Sequence, residues 1–239
     1  MFKPQRKPIG FGENKKNNKA KNYNFMMKLE IANKKRINKE FIEAIKIYKE
    51  IISFKPNLGE AYYNLGLSYK SIDLHDKAIK SFIKVLQIEP KNLNSYLLIG
   101  NKYSKLRNFE SAKYYYKQGL KLNPDEFLLL NGLGNIYYNE NKYEEAIKSF
   151  KNSLKFVPDN AGILNNLGNS LVAISKFDEA INNYCKAISK DPYTKEFHLN
   201  LAFAYFYSGN YTAGWKEYEH RNKDKQLNEI EIWKGQSLK

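Results

Sequence analysis

The 239-residue sequence is poor in the residue types on which many small folds and sites depend. Its single cysteine, Cys185, excludes an internal disulfide and a cysteine-based zinc site. We predict Cys185 as a small core residue, with a reactive thiol as the alternative. Of the three histidines, His75 stands where related segments carry aromatics and is interpreted as a packing residue. His198 and His220 are 22 residues apart on different predicted helices, so we predict no metal site.

Long apolar runs and catalytic motifs are also missing from the sequence. No stretch is apolar for long enough to span a bilayer or to act as a secretory signal, which predicts a cytoplasmic protein. The glycine-rich phosphate loops, the H-E-x-x-H zinc motif and the G-x-S-x-G nucleophile motif are all absent. We therefore predict that the chain is not an enzyme and needs no cofactor.

The net charge of +15 is concentrated at one end of the chain. Residues 1–58 carry 15 Lys and Arg against 5 Asp and Glu, whereas the rest is nearly balanced. A groove that follows phosphates needs basic residues along its whole length, so a nucleic-acid partner is disfavoured. Residues 1–24 have no helical period and are predicted to be a disordered basic tail. This tail is either a weak electrostatic arm for an acidic partner, membrane or nucleic acid, or simply a solvated segment.

Prolines mark a strict period in the sequence. Five of the seven recur every 34 residues, at Pro56, Pro90, Pro124, Pro158 and Pro192. Because proline removes a backbone donor and clashes with the preceding turn, each one is expected to end a helix. Such a period is typical of a repeat array and not of a domain with one core.

Small and aromatic residues repeat with the same period. Position 8 of four successive segments is Gly66, Gly100, Gly134 and Gly168, position 20 is Ala78, Ala112, Ala146 and Ala180, and position 24 is Phe82, Tyr116, Phe150 and Tyr184. Mid-helix glycine costs about 1 kcal/mol relative to alanine, so we expect two helices of one repeat to touch at the glycine, with the alanine facing it. The aromatics would then fill the space between repeats.

This pattern resembles the tetratricopeptide repeat. The resemblance implies an all-α solenoid, a right-handed superhelix of about five to six antiparallel helix pairs. It divides the chain into a degenerate N-terminal capping repeat at 25–58, four repeats at 59–92, 93–126, 127–160 and 161–194, and a divergent last repeat at 195–228. Residues 229–239 would be a linker or the start of another domain.

Asparagines are enriched on one face of the predicted first helices. Positions 5, 6 and 9 lie on one face, and eight of the fifteen such positions hold asparagine: Asn64, Asn101, Asn131, Asn135, Asn165, Asn166, Asn169 and Asn200. The resemblance places this face in the concave groove, where amides can pair with the backbone of an extended peptide. The alternative is that asparagine is common here and tolerated on an exposed face. A clamp for acidic chaperone tails would need basic residues there, and only Lys102 and Lys105 qualify.

The C-terminal end carries a second resemblance. The segments Gly209-Asn210-Tyr211, Gly214-Trp215 and Tyr218–Arg221, followed by Trp233, Gly235 and Leu238, resemble the junction between a repeat arm and a glycosyltransferase domain in bacterial proteins similar to O-linked N-acetylglucosamine transferases. Trp215 and Tyr218 would otherwise serve to cap the last apolar face. Apolar residues at this end would support self-association into a homo-oligomer or docking of another domain.

Three functions follow as hypotheses. The first is a scaffold or adaptor that binds a protein or peptide partner in its groove. The second is the substrate-recognition arm of a glycosyltransferase whose catalytic domain is absent from this chain. Nucleic-acid binding through residues 1–58 ranks last.

Overall fold

A computed structural model describes residues 13–222 of the chain, with side chains from 25 to 220. The described part contains twelve α-helices and a final 3-10 helix, Glu219–Asn222, and none of these residues lies in a strand. The helices form two compact units, divided between Leu122 and Asn123. Among the described residues, no helix combines the length and the apolar character needed to cross a membrane.

Unit 1 contains three helix pairs. Their bounds are α1 Glu13–Ile37, α2 Phe41–Phe54, α3 Gly59–Ser71, α4 His75–Ile88, α5 Leu93–Lys105 and α6 Phe109–Leu122. A continuous core runs through them, built on buried residues such as Tyr48, Leu65, Phe82 and Ile99. Each helix packs on the next along the chain, as expected for pairs that cannot bury their apolar faces alone.

Unit 2 contains three more helix pairs. Their bounds are α7 Phe127–Asn139, α8 Tyr143–Leu154, α9 Ala161–Ala173, α10 Phe177–Lys190, α11 Lys195–Tyr207 and α12 Tyr211–Tyr218. Its core includes Phe150, Leu167, Leu171 and Tyr184. The all-α solenoid of helix pairs is therefore confirmed, and the first helices α3, α5, α7 and α9 begin at the first residue of the four predicted repeats. The second helices α2, α4, α6, α8 and α10 each end before the proline that the period assigns to them.

The first helix α1 begins earlier than the proposed capping repeat. It starts at Glu13, inside the segment interpreted as a tail. The physical reason is visible in the sequence, since Pro4, Pro8, Gly10 and Gly12 all precede Glu13 and neither residue type recurs before Ile37. Residues 1–12 and 223–239 lie outside the described part. They include the rest of the predicted tail and the motif at Trp233.

The turn inside each helix pair has one geometry. The residue at position 15 of every repeat has a left-handed backbone, with φ between 55° and 65° at five positions and 84° at the sixth: Lys39, Asp73, Arg107, Asn141, Ser175 and Gly209. Its N–H and the next one bond back to carbonyls of the first helix, as in a Schellman cap; in the third pair Arg107 donates to Ser104 and Asn108 to Tyr103. The six turns thus share one backbone conformation, although only the last has glycine at position 15.

The glycines at position 8 do mark close helix contacts, but the predicted partner was wrong. A Cβ added to Gly100 would lie 2.3 Å from the ring of Tyr116, and one added to Gly168 would lie 2.5 Å from Tyr184. The ring at position 24 of the same repeat faces the glycine, one helical turn beyond the alanine at position 20. The alanines are fully buried beside this contact: Ala78, Ala112, Ala146 and Ala180.

Candidate functional site

The asparagine at position 9 is held by a tyrosine at position 24 of the same repeat. The Tyr116 hydroxyl donates to Asn101 Oδ1 at 2.7 Å, and the Tyr184 hydroxyl donates to Asn169 Oδ1 at 2.6 Å. Burial raises the pKa of both tyrosines far above the ordinary value, so each hydroxyl stays protonated and acts as a donor. The bond fixes the amide so that its carbonyl points toward the second helix.

The same pair exists in the N-terminal repeat, where the sequence interpretation missed it. The Tyr48 hydroxyl donates to Asn33 Oδ1 at 2.7 Å, and Asn64 Nδ2 donates to the same oxygen at 3.0 Å. Asn33 stands at position 9 of the repeat that begins at residue 25. The signal was present in the sequence, since Asn and Tyr are 15 residues apart in all three pairs.

Two repeats lack the tyrosine and differ in an informative way. The repeat at 59–92 has Phe82 at position 24 and Leu67 at position 9, so neither polar partner is present. Phe150 leaves Asn135 without a hydroxyl donor, and Asn166 Nδ2 of the next repeat donates to Asn135 Oδ1 instead, at 3.1 Å. Every asparagine at position 9 of the described repeats therefore has its side-chain carbonyl satisfied inside the protein: Asn33, Asn101, Asn135 and Asn169.

A second bond joins neighbouring first helices in unit 2. Asn200 Nδ2 on α11 donates to Asn165 Oδ1 on α9 at 2.8 Å, and Asn165 Nδ2 lies 3.4 Å from Glu196 Oε1. Asn165 is only 2% exposed and Asn64 only 8%. These two predicted site residues are thus buried connectors.

The remaining predicted residues lie nearer the surface. Asn101 is exposed, while Asn131, Asn135, Asn166, Asn169 and Asn200 are half-buried. The Oδ1 atom of Asn131 is buried and has no hydrogen-bond partner among the described residues. The structure thus joins the predicted asparagines into short hydrogen-bonded groups within each unit and gives them different degrees of access to a ligand.

The lysines considered for a chaperone clamp do not present a pair of charges. Lys102 is only 6% exposed, and its Nζ lies 3.0 Å from His75 Nδ1. Burial lowers the pKa of Lys102. Position 10, which Lys102 occupies, is buried in the five repeats from residue 59 onward, where it otherwise holds Ser68, Ile136, Ser170 and Ala204; in the N-terminal repeat it is the exposed Lys34.

Cys185 is not the core residue that the sequence predicted. It is exposed on α10, because the neighbouring Tyr184 takes the inward direction and consecutive helical residues point about 100° apart. Partial desolvation of its sulfur nevertheless raises the thiol pKa, which disfavours the reactive thiolate.

The C-terminal aromatics cover part of the last helix pair. Trp215 packs on Phe206 with ring centroids 5.3 Å apart and on Tyr218 at 5.6 Å. Trp215 remains 59% exposed, and Tyr207 and Tyr211 are also largely exposed. Trp215 and Tyr218 therefore contact α11, the first helix of the last pair, as expected of a cap. The exposed parts of these aromatic residues form a surface at this end.

Comparison with known families identifies the same repeat along most of the described helices. Family models described as tetratricopeptide repeat match residues 59–92, 93–126 and 115–148, and a model described as TPR repeat matches 134–175 and 168–209. These matches together cover residues 59–209, which is more than half of the chain. No protein with a curated description matches the sequence.

Several solved structures share the fold at low sequence identity. PilW, a type IV pilus biogenesis factor, is 17% identical with a TM-score of 0.73, over 86% of this chain and 95% of its own. The APC/C hetero-tetramer Cut9-Hcn1 is 21% identical with a TM-score of 0.70 over 86% of this chain, which spans 40% of that longer chain. YrrB, described as a TPR protein with an unusual peptide-binding site, is 16% identical with a TM-score of 0.61, over 76% of this chain and 93% of its own. The glycosyltransferase-arm hypothesis gains no support from these matches.

Proposed function

The chain belongs to the tetratricopeptide repeat family, and on that premise we propose that it is a protein–protein interaction scaffold that binds an extended peptide segment along its first helices. The observation that carries the proposal is the orientation of the asparagine at position 9. In each unit at least one such amide is fixed by a tyrosine hydroxyl before any ligand arrives.

The fixed orientation suits recognition of a peptide backbone. Because the Asn101 and Asn169 carbonyls accept from tyrosine, their NH2 groups are the donors left to present to a ligand. Backbone carbonyls of an extended peptide are acceptors whatever the side chains, so binding would depend little on peptide sequence. A preoriented donor also loses less conformational entropy on binding than a mobile one.

The ligand contacts are assigned to the amides that are not buried, and first to those fixed by a tyrosine. Asn101 and Asn169 are the principal donors, and Asn135, Asn166, Asn200 and Asn131 lie on the same helical face of α7, α9 and α11. Buried Asn64 and Asn165 support their neighbours through hydrogen bonds instead. The peptide-binding site described for YrrB supports the proposal as an analogy of fold.

Binding of a selected peptide tests the proposal. A ligand is first chosen from a random peptide library on the full chain, and its affinity is then measured for Asn101→Ala and Asn169→Ala. Each loss of a neutral hydrogen bond is expected to weaken binding roughly threefold to tenfold. The matched control is Asn182→Ala, an exposed asparagine on the second helix α10, which should leave the affinity unchanged.

The chemistry of the peptide provides the second test. An ester placed for one backbone amide weakens the carbonyl as an acceptor and should lower affinity at some positions along the ligand. Unchanged affinity in both asparagine variants, or a loss equal to that of Asn182→Ala, would contradict the proposed face.

A further inference from the structure

Three potential metal ligands meet at the C-terminal end of unit 2. Among the side chains from 25 to 220, one group of three His, Cys, Asp or Glu residues can bring its ligand atoms within 4.8 Å of one another: His198, Glu217 and His220. His198 lies on α11, Glu217 on α12 and His220 in the 3-10 helix. His198 and His220 are far apart along the chain, from which no metal site was predicted, but they are close in space. The turn at Gly209 folds α12 back onto α11, and the two histidine rings stack with centroids 3.9 Å apart.

Hydrogen bonds fix the state of the His198 ring. Its Nε2 lies 3.0 Å from the Pro192 carbonyl oxygen, which can only accept, so Nε2 carries the hydrogen. Its Nδ1 lies 2.7 Å from Glu217 Oε2. A bare ring nitrogen and a carboxylate oxygen are both acceptors, so at this distance they need a cation between them, either a proton or a metal ion.

We propose that His198 Nδ1, Glu217 and His220 bind a divalent transition-metal ion, with Zn²⁺ as the ion that suits these donors best. Two imidazoles and a carboxylate are among the usual ligands of zinc, and three protein ligands leave one position for water. The Pro192 carbonyl acts as the outer partner that orients the His198 ring, an arrangement found around most metal-bound histidines.

Small side-chain movements convert the observed cluster into a coordination site. Zinc bonds of about 2.0–2.2 Å place tetrahedral ligand atoms roughly 3.3–3.5 Å apart, so the distance between His198 Nδ1 and Glu217 Oε2 increases from 2.7 Å. Glu217 and His220 are three residues apart and face α11 together. The rings are within 10° of parallel. Since each nitrogen lone pair lies in its ring plane, coordination turns His220 out of the stack.

Metal binding ties the last three helical segments together. Protons compete with the ion for the same nitrogen and oxygen donors, so metal affinity falls as the pH is lowered. The ion also joins α11 to α12 and to the 3-10 helix, and should raise the thermal midpoint of the protein. This site uses residues other than the first-helix asparagines, so either proposal can fail alone.

Titration of Zn²⁺ into the full chain, without a polyhistidine tag, tests the site. We expect one ion per chain by calorimetry and Co²⁺ absorption bands typical of a tetrahedral nitrogen and oxygen site. Glu217→Gln and His220→Phe should each weaken affinity at least about tenfold, and the latter keeps a stacked ring. They should also remove the zinc-dependent rise in thermal midpoint.

Two matched controls separate this site from surface binding. His75→Phe introduces the residue type found at the same position in Phe109 and Phe177, and Glu219→Gln alters an exposed neighbouring carboxylate. Both should bind zinc as the parent does. Absence of one-to-one binding, or equal losses in controls and site variants, would overturn the proposal.

Discussion

The inner repeats and the last repeat solve the same packing problem with the roles of their helices exchanged. In the four inner repeats a first-helix glycine receives a second-helix ring, as Gly168 receives Tyr184. In the last repeat Ala202 occupies the glycine position, and Gly214 on the second helix receives Phe206 from the first, 2.4 Å from an added Cβ. One glycine against one ring is therefore what brings the helices together, and either helix can supply the glycine.

The two versions differ in how firmly the ring is held. Tyr184 is 1% exposed and sits in the core of unit 2, whereas Phe206 is half-buried beside the largely exposed Trp215. A buried ring cannot move without disturbing its neighbours, while a surface ring can. The last repeat should therefore tolerate changes that the inner repeats do not.

The largest predicted effect comes from filling the glycine positions. Gly168→Ala should lower the free energy of unfolding by about 1–3 kcal/mol, because overpacking outweighs the better helix propensity of alanine. Gly214→Ala should cost less than half as much, since Phe206 can shift toward solvent. Urea denaturation measures both variants. Equal losses would show that ring burial does not set the cost.

The period of the sequence was sufficient to predict the helix pairs because it rests on local chemistry. Proline ends a helix wherever it falls, and the spacing of apolar positions fixes which face is buried. The partner of each glycine could not be obtained this way. Ala180 and Tyr184 lie one turn apart on the same face, and only the helix crossing determines which of them reaches Gly168.

For the proposed site, the sequence supplies candidate residues but neither their burial nor their hydrogen-bond partners. The pattern identified the asparagines, yet burial of Asn165 and the tyrosine bonds depend on how neighbouring helices meet. The left-handed turn was not predicted as a common feature because its residue type varies: Asp73, Asn141 and Gly209 are typical of such turns, whereas Lys39 and Arg107 are not. The two backbone hydrogen bonds of the cap hold these residues in the left-handed conformation.

The second predicted effect concerns the tyrosine that holds the position-9 amide. Tyr184→Phe should lower the free energy of unfolding by about 0.5–1.5 kcal/mol, because Asn169 loses its donor. Phe150→Tyr is the reciprocal change, since it would give Asn135 a donor that the repeat lacks, and it should be neutral or stabilising. Chemical denaturation of the two variants measures the difference. A loss in both would indicate that the rings tolerate no change, whatever their polar partner.

The third predicted effect compares the inner turns with the last one. Arg107→Gly should stabilise the protein by about 0.5–1 kcal/mol, because glycine adopts a left-handed backbone without the Cβ penalty. Gly209→Ala should destabilise it by a similar amount, and its added Cβ would meet nothing within 4 Å. Thermal unfolding is a suitable measurement. Any loss in Gly209→Ala then reports backbone strain alone.

The smallest predicted effect concerns the buried position 10. Lys102→Ser, which introduces the residue of two other repeats, should increase stability near pH 7 because it removes a buried cation. Burial lowers the pKa of Lys102 in the folded state, so the unfolded chain binds more protons and parent stability rises as the pH approaches about 10.4. The gain from Lys102→Ser should therefore shrink with rising pH. A gain that is constant with pH would indicate a packing effect and not a charge effect.

The amide bonds between first helices have a consequence for cooperativity. In unit 2, Asn135 is joined to Asn166 and Asn165 to Asn200, so each bond spans two successive repeats. In a one-dimensional array, such nearest-neighbour terms decide whether repeats open singly or together. A ligand that orders the amide of one repeat would also restrict the amide of the next. Successive contacts along a bound chain would then strengthen one another without any change in the path of the helices.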